Sequence, residues 1–153
     1  MAAQAWKLYR ETKRKLGLGT LVLSSGTFKM ALYRNSASGT ITSLSTISVK
    51  SSVAGEISAT GGYAAGGKAL AAVTWTTGAS ALQIRYTYTT AGLVFTASGA
   101  SLKNIRYALI YKSASAGGGP VVCYCSLSSA LFSITSPNTL TILPSSTGVF
   151  NLA

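Results

Sequence analysis

From Gly19 onward the apolar residues recur with a period of two, in short runs that glycine, serine and proline cut off. Phe28, Met30 and Leu32 alternate with Lys29, Ala31 and Tyr33 over 27–33. Val73 and Trp75 share one face over 69–75, and Ile84, Tyr86 and Tyr88 share one over 83–88. A period of two belongs to a pleated strand, whose successive side chains leave on opposite sides. Runs over 93–97, 104–111, 121–127 and 139–143 continue the series, with a last strand at 149–152. Clusters such as Gly61-Gly62, Gly66-Gly67, Gly117-Gly118-Gly119-Pro120 and Pro144-Ser145-Ser146 separate them. With no helical pattern between strands, the long crossovers of a parallel sheet are not available. The expected fold is all-β, an antiparallel β-sandwich or jelly roll. The stretch over 36–60 is the least patterned: it reads as a long loop with a short helix near 52–57, or as a further hairpin.

One segment departs from this period. Over 3–16, Ala5, Leu8, Tyr9, Thr12 and Leu16 fall on one helical stripe, and Gly17 follows where a C-terminal glycine cap would stand. The pattern predicts one N-terminal amphipathic helix. The chain then divides into a basic helix or arm over 1–17 and a single β-sandwich domain over 18–153. Lys13, Arg14 and Lys15 fall in the last turn, where the helix dipole favours a cation by ~0.3–1 kcal/mol. That explains one or two charges, not a segment with five cations and one acid.

Charge is the second constraint. Thirteen Lys and Arg residues face only Glu11 and Glu56, for a net charge of +11. Even if both carboxylates and the C-terminal carboxylate each paired with one cation, ten basic side chains would lack an internal anion. They meet water or an external acidic surface. Lys7, Arg10, Lys13, Arg14 and Lys15 are the candidate partner-binding residues. At 153 residues the chain is the size of one domain with a real core. No run approaches the ~18 apolar residues of a membrane span, and no apolar leader stands at the start. A soluble protein made in the cytoplasm is expected.

Catalytic equipment is sparse. There is no histidine, and Glu11 and Glu56 lie far apart in the sequence. Cys123 and Cys125, two apart on an alternating run, share a strand face and read as small core residues, with geometry poor for a disulfide. No metal, cofactor or catalytic residue is expected, and the chain reads as a non-enzyme. The stretch from Gly61 to Lys68 resembles a phosphate loop only loosely, because Ala69 follows Lys68; a tight turn feeding an edge strand is expected instead. Arg85-Tyr86-Thr87-Tyr88 and Arg106-Tyr107 set cations beside aromatics, but strand neighbours point to opposite faces. They read as core aromatics rather than a nucleic-acid platform.

The order of several landmarks is similar to a family of small virion proteins of tailed bacteriophages. The matching pieces are Trp6-Lys7-Leu8-Tyr9, Gly19-Thr20, Thr27-Phe28-Lys29-Met30-Ala31-Leu32-Tyr33, Gly62-Tyr63 with Gly66-Gly67-Lys68-Ala69-Leu70, Val73-Thr74-Trp75, Arg106-Tyr107-Ala108-Leu109-Ile110-Tyr111, and Asn138-Thr139-Leu140-Thr141-Ile142. The chain departs from that pattern at Lys112 and Ser113, where the family carries acids. The resemblance implies a structural component of the particle, first of all a capsid decoration or cement subunit on the major capsid protein. It implies localisation in the virion, synthesis in the host cytoplasm, and no catalytic residue. A homo-oligomer is expected, and no membrane association. A tail, neck or fibre component is the alternative, as is a module binding polyanions or glycans; nucleic acid ranks below a protein partner. A glycan binder would expose Trp75 or Tyr63 in a groove.

Overall fold

The computed structural model describes residues 4–34, 40–78, 82–114 and 118–152. Ala3 of the expected helix, residues 36–39 of the weakly patterned stretch and Gly117 lie outside them. The chain is all-β with antiparallel sheets and one short helix near the N-terminus. In order, the elements are β1 (Lys7–Leu8), α1 (Arg10–Gly17), β2 (Phe28–Tyr33), 3-10 turns at Thr40–Thr42 and Lys50–Ser52, β3 (Lys68–Ala69), β4 (Thr74–Thr77) and β5 (Ile84–Thr87). There follow β6 (Leu93–Thr96), β7 (Leu102–Ile105), β8 (Tyr107–Lys112), β9 (Val121–Ser126), β10 (Phe132–Ile134), β11 (Thr139–Ile142) and β12 (Phe150–Leu152). The main sheet has the order β1-β9-β8-β2-β3; the smaller sheets are β10-β7, β11-β6 and β12-β5-β4.

The main sheet is buried on both faces. Phe28, Met30, Leu32, Ala108, Ile110, Cys123 and Cys125 enter one core, where Tyr86, Phe95, Leu102, Ile142 and Phe150 meet them from the smaller sheets. Ala31, Tyr33, Leu109, Tyr111 and Val121 enter a second core, closed by Tyr9 and by Ile41, Ile47 and Val53. Every residue from Tyr107 to Tyr111 and from Val121 to Cys125 is buried, as expected of central strands covered on both sides. The described part of the 36–60 stretch, from residue 40 on, is therefore a cover. It contains 3-10 turns and single bridges, Tyr33 to Glu56 and Val49 to Pro120, rather than a hairpin or a helix at 52–57.

The expected helix over 3–16 is corrected to α1, eight residues starting at Arg10. Residues before it are extended, because β9 offers a free edge. Lys7 pairs with Tyr124 and Leu8 with Cys123, and the Gln4 amide donates to the Ser126 carbonyl at 2.9 Å. Inter-strand bonds here prevail over the helical stripe. Trp6-Lys7-Leu8-Tyr9 also alternates: Trp6 and Leu8 pack on the first core, and Tyr9 enters the second. The division between 1–17 and 18–153 thus runs through one sheet. A helix of eight residues is not stable alone. Its buried Thr12 hydroxyl lies 2.8 and 2.9 Å from the Val121 and Val122 carbonyls, the Tyr9 hydroxyl donates to the Ile41 carbonyl at 2.7 Å, and the Arg10 amide donates to Leu44 at 2.8 Å. The left-handed residue ending the helical stretch is Gly19 (φ 68°) rather than Gly17.

Two strand runs are divided. Ala72, at φ 48°, separates β3 from β4 within 69–75. Asn104, at φ 62°, precedes a break at Arg106 that separates β7 from β8 within 104–111. The phosphate-loop likeness resolves as a turn: Gly66 and Gly67 have φ of 85° and 73° and lead into β3, an edge strand on β2. A Cβ on Gly67 would collide with the Met30 carbonyl. Gly67→Ala therefore loses ~1–3 kcal/mol of stability, through both a forbidden backbone region and a clash with β2. Urea unfolding of the variant against the parent, with unchanged m-value, measures it.

Candidate partner-binding surface

The five predicted contact residues end on two adjoining elements. Lys7 lies exposed on the edge strand β1, and Arg10, Lys13, Arg14 and Lys15 lie on α1, all but Lys15 exposed. Their environments differ. Arg14 Nη2 lies 2.6 Å from Glu11, with a second bond from Nε at 2.9 Å, and Lys15 Nζ is 3.9 Å from the same carboxylate. The hydrogen bond from Arg14 is the first cause that holds the Glu11 carboxyl below the usual carboxylate range. Two of the five cations are thus ion-paired within their own helix, while Lys7, Arg10 and Lys13 form no ion pair among the described residues, and Arg10 acts on Glu11 only as a weaker, more distant charge.

Among the described residues, Lys50 is the remaining cation paired with an acid, at 2.6 Å from Glu56. Ten of thirteen cations therefore have no acid partner among the described residues. Of these ten, Lys68, Arg85 and Lys112 donate to backbone carbonyls, and Arg106 lies over the Tyr107 ring. Lys7, Arg10, Lys13, Lys29, Arg34 and Lys103 have no ion-paired acid, carbonyl or ring partner among the described residues. Half of those six fall between residues 7 and 13. The N-terminal segment is where the unsatisfied charge concentrates.

An apolar groove adjoins it. Its volume is about 590 Å³, and Lys13 and Leu16 of α1, Leu21 and Val22 of the following loop, Trp75 of β4 and Leu152 of β12 line it. Val22 is 45% exposed and Leu152 37%, and nearby Leu18 reaches 61%. The sequence reading missed Val22 and Leu152. The only signal was that the loop over 17–24 stays apolar between its glycines, which does not say which surface it faces.

The other candidates separate. Tyr86 and Tyr88 are buried, as a core reading requires. Arg106 and Tyr107 depart from the expected opposition: Arg106 Cζ lies 5.3 Å from the Tyr107 ring centre, because Arg106 sits in the break between strands, where the alternation of side chains is interrupted. Tyr63 is buried, 5% exposed, rather than presented at the surface; its hydroxyl lies 2.7 Å from Glu56. Glu56 also accepts from the Gly66 amide at 2.6 Å, so it is a structural tether between loops. The two acids hold separate sets of partners. No group of three or more His, Cys, Asp or Glu side chains comes together among the described residues.

No family model, curated protein or solved structure matches this chain. No helix among the described residues is long and apolar enough to cross a membrane.

Cys123 and Cys125 are free and buried. Burial drives the Cys123 thiol well above its ordinary range and pushes Cys125 up to about 12. At pH 9, where an exposed cysteine is largely thiolate, both remain protonated and inaccessible. Iodoacetamide at that pH leaves the folded protein unmodified and labels both cysteines once it is unfolded, as intact-mass measurement checks.

Proposed function

We propose that this chain is a non-enzymatic structural subunit of a tailed-phage particle, a capsid decoration or cement protein that docks on the major capsid lattice through α1 and β1. The observation that carries this reading is the pairing of two unlike surfaces in one place. Lys7, Arg10 and Lys13 concentrate cations without internal partners, and Lys13 borders an open groove with Trp75 and Leu152. A polar, charged rim beside an apolar centre is the usual anatomy of a protein interface. Cations on the rim raise the rate of encounter with an acidic surface and set its register, and the apolar centre slows release.

The backbone bonds of β1 and the Thr12 and Tyr9 hydroxyl contacts hold the basic surface to the body of the subunit. A preorganised surface loses little entropy on docking. Modest affinity per copy suffices when many copies bind one lattice. A homo-oligomer is part of the proposal, because β4 carries only Thr and Trp on an edge of its sheet, without the charges or proline that deter strand pairing. The partners are the major capsid protein or other virion proteins, and the chain's place is the virion after synthesis in the host cytoplasm.

A second reading, a tail, neck or fibre component or a glycan-binding module, draws on Trp75, half-buried in the groove with one side toward solvent. Copy number separates the two, hundreds per particle for the shell and about a dozen or fewer for the tail.

The double variant Arg10→Glu, Lys13→Glu keeps the fold, since both side chains are exposed, and loses more than ~90% of its occupancy on particles, because reversal puts like charges against an acidic lattice. Quantitative mass spectrometry of purified particles measures occupancy, and circular dichroism checks the fold. Undiminished occupancy overturns the assignment.

A further inference from the structure

We infer that the cleft between β1 and the start of β8 is a carboxylate-binding site, which takes an Asp or Glu side chain from an acidic segment of a protein partner. The choice of a protein partner rests on the docking function proposed above; the site itself rests on separate observations.

Arg106 is held at the break between β7 and β8 by both of its backbone groups. Its amide donates to the Tyr33 carbonyl at 2.9 Å, and its carbonyl accepts from the Leu127 amide at 2.8 Å. Its guanidinium carbon lies 5.3 Å from the Tyr107 ring centre, and its Nε is buried with no hydrogen-bond partner among the described residues. A cation–π contact uses the face of the ring and leaves guanidinium N–H donors unspent. A buried donor without a partner is costly, and water or an ion is one of the ways native proteins complete such a group.

The space beside it suits an oxyanion. The cleft has a volume of about 220 Å³; Lys7, Arg106, Tyr107, Tyr124, Ser126 and Ser129 are among the residues lining it, and none of its lining residues is an acid. Lys7, opposite Tyr124 in the β1–β9 register, has no acid partner of its own. The Tyr107 and Tyr124 rings pack edge to face at 6.2 Å and make a rigid wall. Lys7 and Arg106 thus line one small volume together with Ser129, while the Ser126 hydroxyl at its wall donates to the Ser128 carbonyl at 2.9 Å. Guanidinium binds carboxylate through two parallel N–H···O bonds, and the ammonium neutralises the same charge from another side.

Nucleic acid fits less well. Affinity for a phosphate backbone grows with the number of phosphates neutralised, and this cleft offers two cations. Base stacking needs open ring faces. Tyr107 and Tyr124 are only 7% and 5% exposed, so their faces are taken by the core.

The test titrates the full-length, ¹⁵N-labelled protein with a short Glu/Ser peptide, the same peptide with Gln for Glu, inorganic phosphate and single-stranded DNA. The Glu peptide is expected to shift the Arg106 Nε–H resonance saturably, and the Gln peptide to leave it in place. Arg106→Lys keeps the charge but lacks the fork, and weakens binding by about tenfold. Lys7→Ala, on an exposed edge, weakens it several-fold and carries the test if Arg106→Lys fails to fold. The Arg10→Glu, Lys13→Glu variant binds the peptide within about twofold of the parent. Wild-type binding by Arg106→Lys or, should that variant not fold, by Lys7→Ala, an unmoved resonance, or tighter binding of phosphate or DNA overturns the proposal, as does an equal loss in the α1 variant. Peptide binding and particle occupancy are read on different variants, so each can fail alone.

Discussion

Burial of β8 and β9 on both faces is the constraint that organises the rest. Two adjacent strands without a polar face need a cover on each side, since exposing either would put rows of Tyr, Leu, Ile and Val in water. The small sheets supply one cover through Tyr86, Phe95 and Phe150. The other comes from irregular chain: Tyr9 ahead of α1 and the loop bearing Ile41, Ile47 and Val53. Loops can serve there because their backbone groups find partners, as when the Lys50 amide donates to Gly119 and the Ile57 amide to Leu32. The same cover brings Lys7 and α1 to the surface at the edge of the main sheet.

Scarcity of acid shapes the electrostatics. Glu56 is surrounded by donors from Lys50, Tyr63 and Gly66, and so ties three parts of the covering loops together. Glu11 is used within α1. With both carboxylates occupied, the other cations rely on carbonyls, on rings or on water. Where a carbonyl or ring is within reach, as for Lys112 over Phe28 and against the Val22 carbonyl, the cation is part of the fold. Where none is, it remains available to another molecule. Docking, on the proposed reading, belongs to that second group, and Arg106 stands between the two, because its contact with the Tyr107 ring leaves guanidinium N–H donors unspent.

Much of the strand order was legible in the chain, because period-two alternation and glycine punctuation are local signals. β2, β5, β6, β9 and β11 fall inside the runs that predicted them. Three things were not legible. Trp6 to Tyr9 satisfies both a helical stripe and an alternation, and only the open edge of β9 decides between them. Ala72 adopts positive φ without being glycine, so nothing in its identity marks the break it makes, and the break at Arg106 falls inside a run that alternation reads as one strand over 104–111. Phe132 to Ile134 is too short for periodicity to register. Of the candidate surface, the cations were visible as residues, but not which of them Glu11 would neutralise, nor that Trp75, Val22 and Leu152 would line one groove.

The amino-acid sequence by itself determined that this is an antiparallel β-protein with buried cysteines and ten cations beyond the reach of its own acids. Those properties follow from side-chain period, composition and charge counting, none of which depends on where distant residues meet. Tertiary structure alone decided that the N-terminal segment joins the main sheet and that Arg106 leans on Tyr107 beside Lys7. Both depend on contacts between residues about a hundred positions apart, and a hydrogen-bonding edge or a strand break acts only on what the fold brings next to it.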